Sequence, residues 1–144
     1  LWFPIVMSQL VGCLVGIVSA VVVAKVLGAP EAIILSLASK SVTTPIAMEV
    51  TQSVGGIPSL TAAVVVVTGI LGALIGFKTL AVGRISSPIA QGLSMGTASH
   101  AVGASTAMGY GTKYGAFASL GITLNGIFTA LLTPTIIHLI EALI

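Results

Sequence analysis

Read for its apolar and polar positions, the chain alternates between two kinds of stretch. Residues 4–25, 57–78 and 114–140 are predominantly apolar and hold no Asp, Glu, Lys or Arg other than Lys25 and Lys78, which close the first two. Each is at least as long as the roughly 20 residues a helix needs to cross a bilayer, so each predicts a transmembrane helix. The run "VVVV" at 64–67 would favour a strand in water. In lipid a lone strand leaves its backbone groups unpaired, and the helix prevails. Pro58 falls where a helix starts and its missing N–H costs little. Pro134 is expected to bend the third helix or to mark its end.

Residues 31–50 and 87–108 differ. Both begin apolar, break midway into small and polar residues, "SKSVTTPIA" and "MGTASHAVGAS", and then resume. Each half is about 10 residues, or roughly 15 Å of helix, which is half the hydrocarbon thickness. Two broken, re-entrant helical hairpins with polar tips near the midplane fit these lengths, and two full crossings fit them as well. The two segments align at an offset of 55, and "GILGAL" (69–74) lies on "GIFTAL" (126–131) at 57, which points to an internal repeat. The repeat is inverted if the segments are re-entrant and parallel if they cross. Under either arrangement the loop with Lys78 and Arg84 is cytoplasmic by the positive-inside rule, and Lys113 joins it only in the re-entrant one. The expected fold is an all-α integral membrane protein: one membrane domain, 1–144, of transmembrane helices plus two broken or re-entrant hairpins in an inverted repeat.

Composition agrees. Of 144 residues 56% are hydrophobic and 6% charged, against roughly 25% charged in a soluble domain, so a solvated surface cannot be built. The net charge of +2 comes from five basic residues, which gives nucleic acid no patch to bind. Cys13 reads as a small packing residue, and a single cysteine allows no disulfide within the chain. The opening "LWFPIVMSQLVG" has no initiator Met or charged leader and reads as the start of a fragment, with Trp2 and Phe3 as an interfacial anchor. Gly12 with Gly16 and Gly72 with Gly76 predict close helix packing and also allow a homo-oligomer.

Lys40 is the sharpest candidate for chemistry. An ammonium near the midplane costs a few kcal/mol even on lenient insertion scales, and such a residue is usually functional. Snorkelling to an interface, or pairing with Glu49 as counter-ion, are its alternatives. Beside Ser39, Ser41, Thr43 and Thr44, Lys40 supplies what a small carboxylate needs: one positive charge and hydroxyl donors. Pro45 frees a backbone carbonyl and limits how the helix restarts. His100 occupies the matching break, flanked by Thr97 and Ser99, as a proton-coupled partner or as a neutral ring donating to a carbonyl. Glu31 after Pro30 suits a helix start, and His138 is expected at an interface. "GLSMG" (92–96) fits the nucleophile-elbow pattern but lacks a preceding strand, and the chain has no Asp for a third member. "GYGTKYG" (109–115) lacks the spacing of a phosphate loop and reads as an interfacial loop anchored by Tyr110 and Tyr114. No catalytic, metal or cofactor site is expected.

The stretches "KSVTTPIAMEV", "GGIPSLTAAVVVVTGILGALIG", "PIAQGLSMGTASHAVGASTAMG" and "GAFASLGITLNGIFTALLTP", in this order and spacing, resemble the LrgB/CidB family of bacterial membrane proteins, with plastid relatives, over about residues 30–135. The resemblance implies further membrane helices before this region. It also implies one of two functions. Bacterial members are antiholin-like or holin-like and act with a small LrgA/CidA-type membrane partner on murein hydrolase activity and autolysis. Plastid relatives are glycolate/glycerate translocators, and some bacterial systems are linked to pyruvate uptake. Lys40, Ser41, Thr43, Thr44 and Pro45 match the first motif, and Gly96, Thr97, Ser99, His100 and Gly103 the second. Where many members read "GTAR" after the second motif, this chain has "GAST" (103–106), so a second fixed cation is absent there. The combined expectation is a carrier for a small monocarboxylate bound by Lys40, Ser41, Thr43, Thr44, Pro45, Thr97, Ser99 and His100. It lies in the cell membrane, with the plastid inner envelope as the alternative.

Overall fold

Backbone groups in an apolar chain must find partners within their own segment, and helices satisfy that demand. The computed structural model describes residues 1–142. Its elements are α1 (Trp2–Val26), α2 (Glu31–Leu37), α3 (Thr44–Val54), α4 (Pro58–Val82), α5 (Pro88–Tyr110) and α6 (Thr112–Ala142). There is no strand among the described residues. Three helices, α1, α4 and α6, are long and apolar enough to cross a membrane.

The starts follow the chemistry of the chain. Pro30 precedes the first residue of α2, Pro58 opens α4, and Pro45 sits in the first turn of α3, where an absent N–H is harmless. Gly55 ends α3 at φ 86°, a left-handed conformation that glycine adopts without penalty. One expectation is narrowed and one corrected. Of the two roles open to Pro134, ending α6 is excluded, because the helix runs on to Ala142; neighbouring helices can absorb one missing backbone bond inside a membrane helix. The stretch 109–115 is not a loop: Gly111 alone lies outside helix, and α6 starts at Thr112. Beside that joint Phe77 and Tyr110 stack at 3.9 Å between ring centroids, with Tyr114 tilted 6.1 Å from each.

Both polar stretches interrupt helix. The first leaves residues 38–43 between α2 and α3. The second breaks α5 at His100, whose φ of 42° and ψ of −133° are far from helical. Beyond His100 the chain passes close to the residues just before it. A Cβ on Gly103 would overlap the Met95 carbonyl oxygen and lie 2.6 Å from the Cβ of Ser99.

Lipid is as apolar as a protein core, so close packing and hydrogen bonds, more than burial, hold such helices together. The most extensive interface joins α5 to α6, and Gly96 sits there directly against the backbone of Ala118. On the other side of α5, Gly69, Gly72 and Gly76 of α4 receive His100, Ser99 and Met95. Cys13, Ile17 and Val21 of α1 pack with Leu35, Ala38 and Ile137, while Val42, Ala47 and Val65 close the space between α3 and α4. The outward faces of α1 and α4 stay apolar, with Val15, Val22, Leu71 and Leu74 exposed, as helices facing lipid are.

Candidate functional site

Each break leaves carbonyls that no helix pairs, and one side chain collects two of them. The carboxamide of Asn125, on α6, donates from Nδ2 to the carbonyl of Ser41 in the first break and to that of Thr97 just before the second, at 3.1 Å each. Carbonyl oxygens only accept, so both bonds require the amide nitrogen on that side and fix the orientation of the group. Thr97 is held from a third direction, because its hydroxyl reaches Gln9 Oε1 on α1 and the Leu93 carbonyl one turn back.

A cavity of about 340 Å³ lies where these elements meet. Its wall includes Lys40 and Ser41 from the first break, Ser94 and Thr97 from α5, Asn125 and Thr129 from α6, and Cys13 from α1. At roughly 30 Å³ per liquid water, this is room for a small organic anion and several waters. Lys40 is half-buried, and Nζ donates to Ser41 Oγ at 3.2 Å. Among the described residues the one basic nitrogen within 4 Å of a carboxylate oxygen is Nδ1 of His138, 3.7 Å from Glu141, so no carboxylate of these residues lies within ion-pair distance of Lys40. Glu49 is exposed on α3. A second cavity, about 320 Å³, sits at the ends of α1, α2 and α6 beside Lys25, Glu31 and Glu141, away from both breaks.

The residues singled out from sequence therefore divide. Lys40, Ser41 and Thr97 meet at one cavity. Thr43, Thr44 and Pro45 cap and start α3 beyond its wall. Ser99 and His100 turn the other way, toward α4: His100 Nε2 lies 2.9 Å from the Val65 carbonyl, and Ser99 Oγ is buried against Gly72 with no hydrogen-bond partner among the described residues. Ser39 also leaves the cavity edge for a polar cluster. Its hydroxyl donates to the Ala47 carbonyl at 3.1 Å and meets Thr51 Oγ1 at 3.0 Å; Thr51 meets Thr61 Oγ1 at 2.8 Å, and Thr61 donates to the Ser36 carbonyl. This cluster ties α2, α3 and α4 around the first break.

Asn125 and Gln9 were not among the expected site residues. The signal was present: Asn125 is the chain's only asparagine, and it sits inside the span 114–140. A carboxamide there needs partners on neighbouring helices. "GLSMG" lies wholly within α5, and Ser94 faces the cavity with no strand before it.

Comparison with known proteins gives a consistent picture. A model of the LrgB-like family matches residues 1–139. The uncharacterized protein YxaC of Bacillus subtilis (strain 168) is 35% identical over 136 residues, covering 94% of this chain and 59% of its own. The antiholin-like proteins LrgB of Bacillus mycoides (strain KBAB4) and Bacillus cereus (strain B4264) are 33% and 32% identical over 133 residues, 92% of this chain and 58% of theirs. The chain thus spans less than three fifths of the length of these relatives. No solved structure matches.

Proposed function

The chain belongs to the LrgB-like family, and with three apolar helices and bacterial relatives it is a multi-pass protein of the cell membrane; from that premise we propose that it carries small monocarboxylates of the glycolate, glycerate or pyruvate type. The observation that carries this reading is Lys40. A half-buried ammonium on a cavity wall, with no carboxylate beside it among the described residues, is a standing requirement for an anion. In this reading Lys40 provides the counter-charge and the hydroxyls of Ser41 and Ser94 donate to the carboxylate oxygens. Asn125 holds the two breaks together around it. Thr43, Thr44 and Pro45 act by fixing where α3 restarts. Ser99 and His100 act by seating the second break on α4.

We read the broken segments as re-entrant hairpins of an inverted repeat. Two features favour this: the return of the chain past Met95 after His100, and the near-equivalent positions, Ser41 and Thr97, of the carbonyls bound by Asn125. Sites between discontinuous helices at a repeat interface are the architecture of secondary transporters. In a Cys13→Ala background, cysteine labelling along residues 36–48 tests the placement. Lys40→Cys is expected to resist impermeant reagents, and labelling as fast as a loop position would refute it.

The second reading is an antiholin-like regulator of murein hydrolase activity and autolysis, acting with an LrgA/CidA-type partner. It is favoured by the names of the Bacillus mycoides and Bacillus cereus relatives, both antiholin-like proteins. Counterflow of labelled glycolate, glycerate and pyruvate into proteoliposomes of the full-length protein, with and without the partner, separates the two. Uptake abolished by Lys40→Met is expected of the carrier. No uptake in either preparation, with lysis phenotypes intact, would leave the regulator.

A further inference from the structure

Asn125 has more to do than join the breaks. Both of its amide hydrogens are consumed by the Ser41 and Thr97 carbonyls, so toward the cavity the group can only accept. Its Oδ1 is reached by no donor among the described residues, and the residue, although only 2% exposed, forms part of the cavity wall. The cation and this amide both bind Ser41. Lys40 Nζ binds the hydroxyl of Ser41 at 3.2 Å, and Asn125 binds the carbonyl of the same residue at 3.1 Å. One wall therefore holds both a positive charge and an amide whose remaining capacity is to accept.

We infer that Asn125 is a specificity-determining residue that favours 2-hydroxy monocarboxylates over their 2-keto counterparts; the inference rests on the carboxylate reading of the cavity. A 2-hydroxy acid carries its carboxylate and a hydroxyl donor on adjacent carbons, so the carboxylate lies on Lys40 while the hydroxyl donates to Oδ1. A 2-keto acid places only lone pairs at that position. Its ketone oxygen faces the amide oxygen with no proton between them, and a polar group of the site is left unpaired. The hydroxyls of Ser41 and Ser94, which can turn to donate or accept, do not discriminate between the two.

The test uses racemic lactate and pyruvate, which have the same carbon skeleton and differ at the second carbon, in equilibrium binding to the purified full-length protein. The parent is expected to prefer lactate by about tenfold or more. Asn125→Thr, whose hydroxyl donates as well as accepts, should bring the ratio near one, and Asn125→Ser should do the same if the threonine variant does not fold. A purely structural role would lower both affinities together and leave the ratio unchanged. A parent that takes both acids alike, or prefers pyruvate, overturns the inference, as does a variant that binds both and keeps the parent's ratio. Binding of neither acid by the parent overturns the carboxylate reading itself and this inference with it, whereas equal binding overturns the inference alone.

Discussion

Gly96→Ala is the most direct test of how the helices are held. A Cβ at this position would overlap the Ala118 carbonyl oxygen and lie 2.8 Å from its carbonyl carbon and 3.0 Å from its Cα. Carbon atoms in contact sit about 3.5–4.0 Å apart, so α5 and α6 would have to part by roughly 0.7 Å or more. Every contact point is backbone, and no rotamer change can relieve it. A radial gap of 0.5–1 Å forfeits about a quarter to a half of the dispersion attraction of each atom pair, here along the most extensive interface of the fold. The expected loss is about 2–3 kcal/mol, the upper part of the range for overpacking. Gly109→Ala is the control, because nothing lies within 4 Å of its Cβ position and alanine there should stabilise the helix by about 0.5–1 kcal/mol. Both are measured as the fraction of detergent-solubilised protein that stays monodisperse after heating. Gly96→Ala should melt well below the parent and Gly109→Ala at or above it. A Gly96→Ala protein that melts with the parent would refute the α5–α6 approach described here.

Three further outcomes are expected in the same assay. Ser99→Ala should be neutral or slightly stabilising, since the buried hydroxyl it removes has no partner among the described residues; a clear loss would mean the hydroxyl is bonded. His100→Ala should cost more than His100→Gly by about 1 kcal/mol: both lose the contact with the Val65 carbonyl, but only glycine takes φ 42° without strain. Equal melting of the two would argue against that backbone conformation. Thr51→Val keeps the shape while removing the hydroxyl between Ser39 and Thr61, and should cost about 1–2 kcal/mol. An unchanged melt would show that the cluster does not hold the first break.

The three spans were legible because charge-free windows of such length have one solution in lipid. The breaks were legible too, since small and polar residues in the middle of an apolar stretch cannot face lipid. Lys40, Ser41 and Thr97 could be placed together because each sits at a break and the breaks align at one offset. The directions of the side chains could not. His100 points to α4 because its φ is positive, a conformation that a glycine would have announced and a histidine conceals. Asn125 was hidden for a different reason: its role depends on which two carbonyls α6 brings within reach, and that is set by the packing of α5 on α6. Glycines at positions such as 96 permit that packing, but their spacing alone does not say which helix they face.

The order of synthesis gives the bond of Asn125 to both breaks a further consequence. Ser41 leaves the ribosome 84 residues before Asn125, and Thr97 28 residues before it. In the re-entrant reading both carbonyls lack their partner until α6 has been made and inserted, and lipid offers them nothing in its place. A nascent chain stopped before residue 125 would hold its other helices in the bilayer with the meeting point of the breaks unfinished. Completion of α6 is therefore what closes the meeting point of the two breaks.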